Sequence, residues 1–579
     1  MRNFAMTLAL VLGVVTGAQA MPVSTAQGAA QGISKNGVTQ FLGIPFAKPP
    51  VGALRWMPPQ PPAKWSGVRQ ASKFGPTCAQ VTTLGPFAGP ANSNEDCLYL
   101  NVFTPNIKAK LPVLVWIHGG GYYDGESNDY DATKLATRGR MVVVTFNYRL
   151  NLFGFLAHPA LDAEGHAFGN YGIMDMQAAL RWVHRNIAGF GGDPGNVTLG
   201  GQSAGAGATS ANVVSPGAAG LIHRAIYQSG GYQPFASRAF SEERGKKFAA
   251  AAGCISKDEK GGDVAKCLRA LPATKIAALA GTASANSPYI NGPLVDGTVI
   301  PAQYIDLIRA GKFNKVPILF GTTRDEGNFF NGIIQYFKPG RAALTAEDFR
   351  AYLDKSYGGN GGPGGGPPAY AKGTADAVLA HYKIGKPDNI DLVFDGKGKV
   401  TWNNQPITEA EAHKRMANLK PTFSDPQMAW DAAHSDMLAC RGQYTAEALS
   451  AHVPVYMYLF ADRSAPSYFP RMPGYQSLAY HTGDIPYVFI GYHGGPDGLP
   501  TPLNPVQAKL SDHLIDAWAN FARGGNPNGA GDAPWPRWKK GSDSSAYFQQ
   551  DNAWNNVQTN AQFAAAHQCA FWQSILLYR

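Results

Sequence analysis

The sequence has no C-x-x-C pair and no H-E-x-x-H signature, so the common local routes to a zinc site are missing. It also lacks a basic block interleaved with aromatics. Fifty Lys and Arg stand against 40 Asp and Glu, a net charge of +10 spread along 579 residues. That mild excess aids solubility or attracts small anions weakly, and it gives nucleic acid no footprint. After residue 20 no apolar run approaches the roughly 20 residues a membrane span needs, so no stable membrane anchor is expected. Internal repeats and charge-rich linkers are missing too. The one low-complexity stretch, GGNGGPGGGPP (358–368), reads as a surface loop.

What is present begins with MRNFAMTLALVLGVVTGAQA. It carries one basic residue (Arg2), an apolar stretch from Phe4 to Val15, and the small-residue ending Ala18-Gln19-Ala20. This is the layout of a secretory signal peptide cut after Ala20, with a retained anchor as the lesser alternative. Residues 21–579 are then expected to form one domain, exported to the periplasm or secreted. Six cysteines in an exported chain point to disulfides, but their pairing is open from sequence alone.

Short β-branched runs alternate with helical patterns, which predicts an α/β fold built on a mostly parallel sheet. Near-continuous apolar runs mark buried strands at 113–117, 141–146, 197–199, 316–320 and 453–460. Met176, Leu180, Val183 and Ile187 recur at helical spacing and predict an amphipathic helix over 174–188.

Among these elements one serine stands out. Gly201-Gln202-Ser203-Ala204-Gly205 follows a strand and matches G-x-S-x-G, in which the serine occupies a sharp strand-to-helix turn. Glycines at 201 and 205 suit such a turn, because a β-carbon there would collide with the neighbouring strand or helix. On its own the pattern competes with an ordinary small-residue turn. Upstream, His118-Gly119-Gly120-Gly121 also follows a strand, in the order expected of an oxyanion loop. Gly120 and Gly121, with the N–H of Ala204, are the candidate oxyanion donors, and His118 reads as a brace for the loop. A serine hydroxyl needs a base and a group to orient that base. Residues alone leave both open: Asp325 or Glu326 for the acid, His481 or His493 for the base.

The chain resembles the type-B carboxylesterases, a cholinesterase-like family of enlarged α/β-hydrolases. The resemblance is carried by FLGIPFAKPPVGALRW (41–56), NEDCLYLNVF (94–103), NYRLNLFGFL (147–156), the long stretch 170–206 and TTRDEG (322–327). It covers nearly all of 31–579. It implies a serine esterase with Ser203 as nucleophile, Glu326 as acid, His481 as base, and Gly120, Gly121 and Ala204 as oxyanion hole. Asp325 and Ser229 become structural neighbours and His493 a loop residue. It further implies the disulfides Cys78–Cys97, Cys254–Cys267 and Cys440–Cys569, with no metal or organic cofactor.

Three departures qualify the resemblance. Cholinesterases carry an acidic residue before the nucleophile, where this chain has Gln202. Residues 79–96 contain no tryptophan for cation–π contact, so choline esters are disfavoured. Residues 386–425 are an apparent insertion, with a hairpin expected around Asp395-Gly396-Lys397-Gly398. The expected partner is a small-molecule ester. Tyr122, Tyr123, Tyr468, Phe469, Tyr475 and Tyr480 either line a gorge for aromatic or bulky esters or pack the core. A lipase on the same scaffold and a silent binding protein are the competing readings; the retained triad residues weigh against the second. Oligomeric state is not legible.

Overall fold

The computed structural model describes residues 18–579 except 88, 232, 256–261, 282–291, 358–372, 386–391, 395–399, 404, 409–410, 413–414, 416–421, 530–533, 540–545, 551–555 and 576–579. Most of the expected leader and the glycine-rich loop 358–368 therefore lie outside the described residues.

A twelve-stranded sheet runs through the molecule. In chain order its strands are β1 (Ala18–Gln19), β2 (Ile33–Lys35), β3 (Val38–Pro45), β4 (Tyr99–Thr104), β5 (Leu111–Ile117) and β6 (Val142–Phe146). They continue as β7 (Gly192–Gln202), β8 (Arg224–Gln228), β9 (Ile318–Thr323), β10 (Val455–Phe460), β11 (Ala546–Gln550) and β12 (Asn556–Thr559). Side by side they lie as β1-β2-β3-β4-β6-β5-β7-β8-β9-β10-β11-β12. From β6 to β11 every neighbouring pair is parallel, while both edges are antiparallel.

The apolar runs explain why the middle of this sheet is covered on both faces. Val113 through Ile117 are no more than 1% exposed. Val113, Val115 and Ile117 join one core with Val142 and Val144; Leu114, Trp116 and Val143 point into the other. Among the described residues, the helices that support the sheet and the site at its end include α1 (Tyr171–Asn186), α2 (Ala204–Val214), α3 (Gly327–Tyr336), α4 (Pro426–Ser450), α5 (Pro505–Gly524), α6 (Asn560–Ala566) and α7 (Cys569–Ile575). Met176, Leu180, Trp182 and Val183 of α1 close the first core; Leu510, Leu514, Trp518 and Phe521 of α5 close the second. Each fully buried side chain of this kind contributes about 1.5–3 kcal/mol, which is what holds the layers together. The start of α5 is fixed by a capping box: Asn504 Oδ1 accepts from Gln507 N–H at 2.9 Å, and Gln507 Oε1 accepts from Asn504 N–H at 3.1 Å.

The stretch after β6 is pinned to α1 by a buried ion pair. Arg149 Nε and Nη2 donate to the two Asp175 oxygens, each at 2.8 Å. All three disulfides form as the resemblance implies: Cys78–Cys97, Cys254–Cys267 and Cys440–Cys569. The last ties α7 to α4, closing 129 residues of sequence. Leu392–Phe394 and Val400–Trp402 pair antiparallel on either side of the expected hairpin turn, whose residues 395–399 lie outside the described ones. Among the described residues no helix is long and apolar enough to cross a membrane.

Candidate active site

β7 ends at Gln202 and α2 begins at Ala204, leaving Ser203 alone at the corner with φ 57° and ψ −124°. A non-glycine residue there carries about 1–3 kcal/mol of strain and persists only where its surroundings over-determine it. They do. Ser203 N–H donates to Gln228 O at 2.8 Å, and Ser203 O accepts from Gly207 N–H at 3.0 Å. The flanking backbones leave no room for side chains: a Cβ on Gly201 would stand 2.5 Å from Gly205 O, and one on Gly205 would stand 2.1 Å from Ile117 O. The corner thus lifts a half-buried serine off the end of the sheet.

The neighbouring strand β5 ends in the glycine loop. A Cβ on Gly119 would lie 3.2 Å from Ser203 Cβ, so this loop borders the serine directly. Gly120 has φ 110°, and a Cβ there would sit 1.9 Å from Asp124 O. Only glycine permits that approach. Gly120 O accepts from Tyr123 and Asp124 N–H at 2.8 and 3.1 Å, closing the loop into a tight turn. No described backbone carbonyl takes the N–H of Gly120, Gly121 or Ala204. His118 braces the loop as expected. Its ring stacks on Tyr148 at 4.4 Å and its Nδ1–H donates to Gly119 O at 2.8 Å. Burial pushes the His118 imidazole down to about 4, so it stays neutral.

Glu326 follows β9 and opens α3. One carboxylate oxygen accepts from Thr322 Oγ1–H at 2.6 Å and Thr323 N–H at 2.8 Å; the other accepts from His481 Nδ1. Both residues are buried, at 0% and 3% exposure. Burial alone would raise the Glu326 carboxyl, but its electrostatic attraction to His481 and the hydrogen bonds outweigh it and hold it below the usual range. Asp325 works beside it as a clamp. Its side chain takes the Arg463 guanidinium, with Nε at 3.0 Å, and Ala479 N–H at 3.1 Å, joining the Glu326 loop to the His481 loop. Phe329 and Phe330 wall the imidazole, with ring centroids 5.2 Å away in each case. Behind it Thr482 is held at φ 76°, and its Oγ1 meets Tyr468 OH at 2.6 Å.

His481 Nε2 faces Gln202 Nε2 at 3.2 Å. No hydrogen bond joins Ser203 to His481 in this structure; Glu326 and His481 are in contact with each other and Ser203 is bonded to neither.

Residues 19–572 match the carboxylesterase family. The chain belongs to it. Among its relatives is the medium-chain fatty acyl-CoA hydrolase precursor of Anas platyrhynchos, 34% identical over 87% of this chain and 83% of that one. The fumonisin B1 esterase of Sphingopyxis macrogoltabida is 32% identical over 92% and 89%. The para-nitrobenzyl esterase of Bacillus subtilis is 33% identical over 87% and 90%. The crystal structure of the carboxylesterase EST55 of Geobacillus stearothermophilus superposes with a TM-score of 0.71 at 29% identity, covering 95% of this chain and all of that one. The fold is accordingly the enlarged α/β-hydrolase, and the protein is a carboxylic ester hydrolase.

In this carboxylesterase the aromatics divide. Tyr468, Phe469 and Tyr480 are buried in the second core, and Tyr475 packs half-buried against it. Tyr122 and Tyr123 remain half-buried on the glycine loop. Ser229, at φ 52°, lies close enough to Glu326 to favour its ionised carboxylate but short of hydrogen-bond geometry. His493 Nδ1–H donates to Gly495 O at 2.7 Å within its own loop. Sequence reasoning missed the Gln202 contact, the Tyr468–Thr482 pair and the Phe329–Phe330 walls. Only the last had a signal, two aromatics shortly after the acid.

Proposed function

We propose that the protein hydrolyses small-molecule carboxylic esters through an acyl-enzyme on Ser203. The observation that carries this is the buried Glu326–His481 pair set beside a strained, half-exposed serine and a glycine loop with unengaged N–H groups. Ser203 Oγ attacks the ester carbonyl carbon while its proton passes to His481 Nε2. Glu326 keeps Nδ1 protonated and stabilises the imidazolium. Gly120, Gly121 and Ala204 N–H receive the oxyanion, each such donor contributing about 2.7–4 kcal/mol to transition-state stabilisation. The C–O bond to the alcohol breaks as that oxygen takes the proton from Nε2. Water then enters, gives its proton to His481 and releases the acid, restoring the serine.

Neutral Gln202 and the absence of tryptophan from 79–96 favour uncharged alcohol groups over choline. Three disulfides support an exported protein. The test is the initial rate on p-nitrophenyl esters of increasing acyl length, for the wild type and Ser203→Ala. Serine-dependent turnover of short, soluble esters is expected, with the variant lower by several orders of magnitude. Comparable turnover by purified Ser203→Ala would overturn the reading.

A further inference from the structure

Gln202 is the last residue of β7 and wholly buried, one position before the strained serine. Its amide nitrogen lies 3.2 Å from His481 Nε2. Its amide oxygen is buried with no hydrogen-bond partner. We infer that Gln202 is a positioning residue for His481: its N–H holds the Nε2 face of the resting imidazole and selects the tautomer protonated at Nδ1. This rests on the acyl-enzyme reading above.

The orientation of the amide follows from the other side of the ring. Glu326 Oε2, ionised, can only accept, so Nδ1 must donate to it. A neutral imidazole then has only a lone pair at Nε2, and only a donor can satisfy it. The amide N–H is that donor. Turned over, Gln202 would present oxygen to a lone pair. The orphaned oxygen points the same way: a buried acceptor without a partner is a cost to folding, so packing alone would favour an apolar side chain here.

The contact also has a direction in the reaction. As substrate binds, Ser203 Oγ–H replaces the amide as the partner of Nε2 and gives up its proton there. The Nε2–H so formed gains no acceptor from Gln202, whose near group is an N–H, so nothing on that side competes with its delivery to the leaving oxygen. Three other titratable groups act on this ring: Glu326, which holds Nδ1, and Asp484 and His434, which interact with it electrostatically. None is altered by changing residue 202. A carboxylate at 202 would favour the imidazolium, withdrawing the base at low pH.

The test is the pH profile of kcat/KM on p-nitrophenyl butyrate for the wild type, Gln202→Glu and Gln202→Met, with Ser203→Ala alongside and a thermal melt of each. Gln202→Glu is expected to move the acidic limb to higher pH by roughly one unit or more, the effect of an opposite charge within reach of a base. Gln202→Met is expected to lose about tenfold or more in kcat, through a misplaced base, while melting no lower than wild type. Superimposable acidic limbs in wild type and Gln202→Glu, with Ser203→Ala inactive, would overturn this inference and leave the acyl-enzyme standing. Full activity in Ser203→Ala would remove both. If Gln202→Met fails to fold, the Gln202→Glu profile decides.

Discussion

Gly205 lies so close to Ile117 that a methyl group on its α-carbon would stand 2.1 Å from the Ile117 carbonyl oxygen. The helix that follows the serine is thereby seated directly on the end of β5, from which the glycine loop departs. Gly205→Ala is expected to push α2 off this seat. The expected loss is about 1–3 kcal/mol or more of stability, the ordinary cost of overpacking, with a larger proportional loss of esterase activity. Urea melts read beside rates check it; wild-type stability and rates together would contradict the tight seat.

The Arg149–Asp175 pair should show the asymmetry of buried charges. Their side chains are 4% and 0% exposed. Asp175→Asn leaves a buried guanidinium without its counter-charge and is expected to cost about 3–5 kcal/mol. Arg149→Met combined with Asp175→Leu is expected to recover much of that loss. A double variant no better than the single, in the same urea melts, would mean that Arg149 acts chiefly through its Met57 carbonyl contact.

Asp124 gives a stability signature in pH. Burial pushes its carboxyl up to about 7, against an ordinary 3.8, although Thr83 N–H and Oγ1–H both donate to it. Between those values the folded chain holds a proton the unfolded chain has lost, so stability falls as pH rises through the window. Glu326 has the opposite sign: held below its usual range, it contributes stability above that range, which is lost as pH falls through it. Asp124→Asn is expected to flatten the decline of Tm with rising pH between about 4 and 7. An unchanged slope would show that Asp124 is not its source.

The sheet was legible where its strands are buried on both faces, because Val113–Ile117 and Val142–Phe146 announce themselves as near-continuous apolar runs. At β7 it was legible only in part. The sequence shows only 197–199, since Asp193-Pro194-Gly195-Asn196 is turn chemistry, yet a shift of register between Gly192 and Val197 carries the strand through. The β11–β12 edge carried no such run and went unseen.

In the site, the serine turn and the glycine loop could be read from residues because steric exclusion leaves glycine as the only choice. Acid and base could not, since Asp325 neighbours Glu326 and either fits a strand end. The two carboxylates differ only in three dimensions, where Asp325 binds Arg463 and Glu326 meets His481. The surroundings of His481 have two halves of different origin. Gln202, at Nε2, comes from 279 residues away in sequence, while Thr482 is the very next residue. The left-handed backbone of Thr482 and its contact with Tyr468 show only in three dimensions.

The most direct test of the central claim is covalent. The enzyme would be treated with a p-nitrophenyl phosphonate, with p-nitrophenol release, residual esterase activity and peptide mass mapping followed together. One equivalent of phenol, activity lost in proportion, and a single adduct on the peptide containing Ser203 are the expected results. Inactivation with the adduct on another residue, or full labelling of Ser203 with esterase activity intact, would contradict the account.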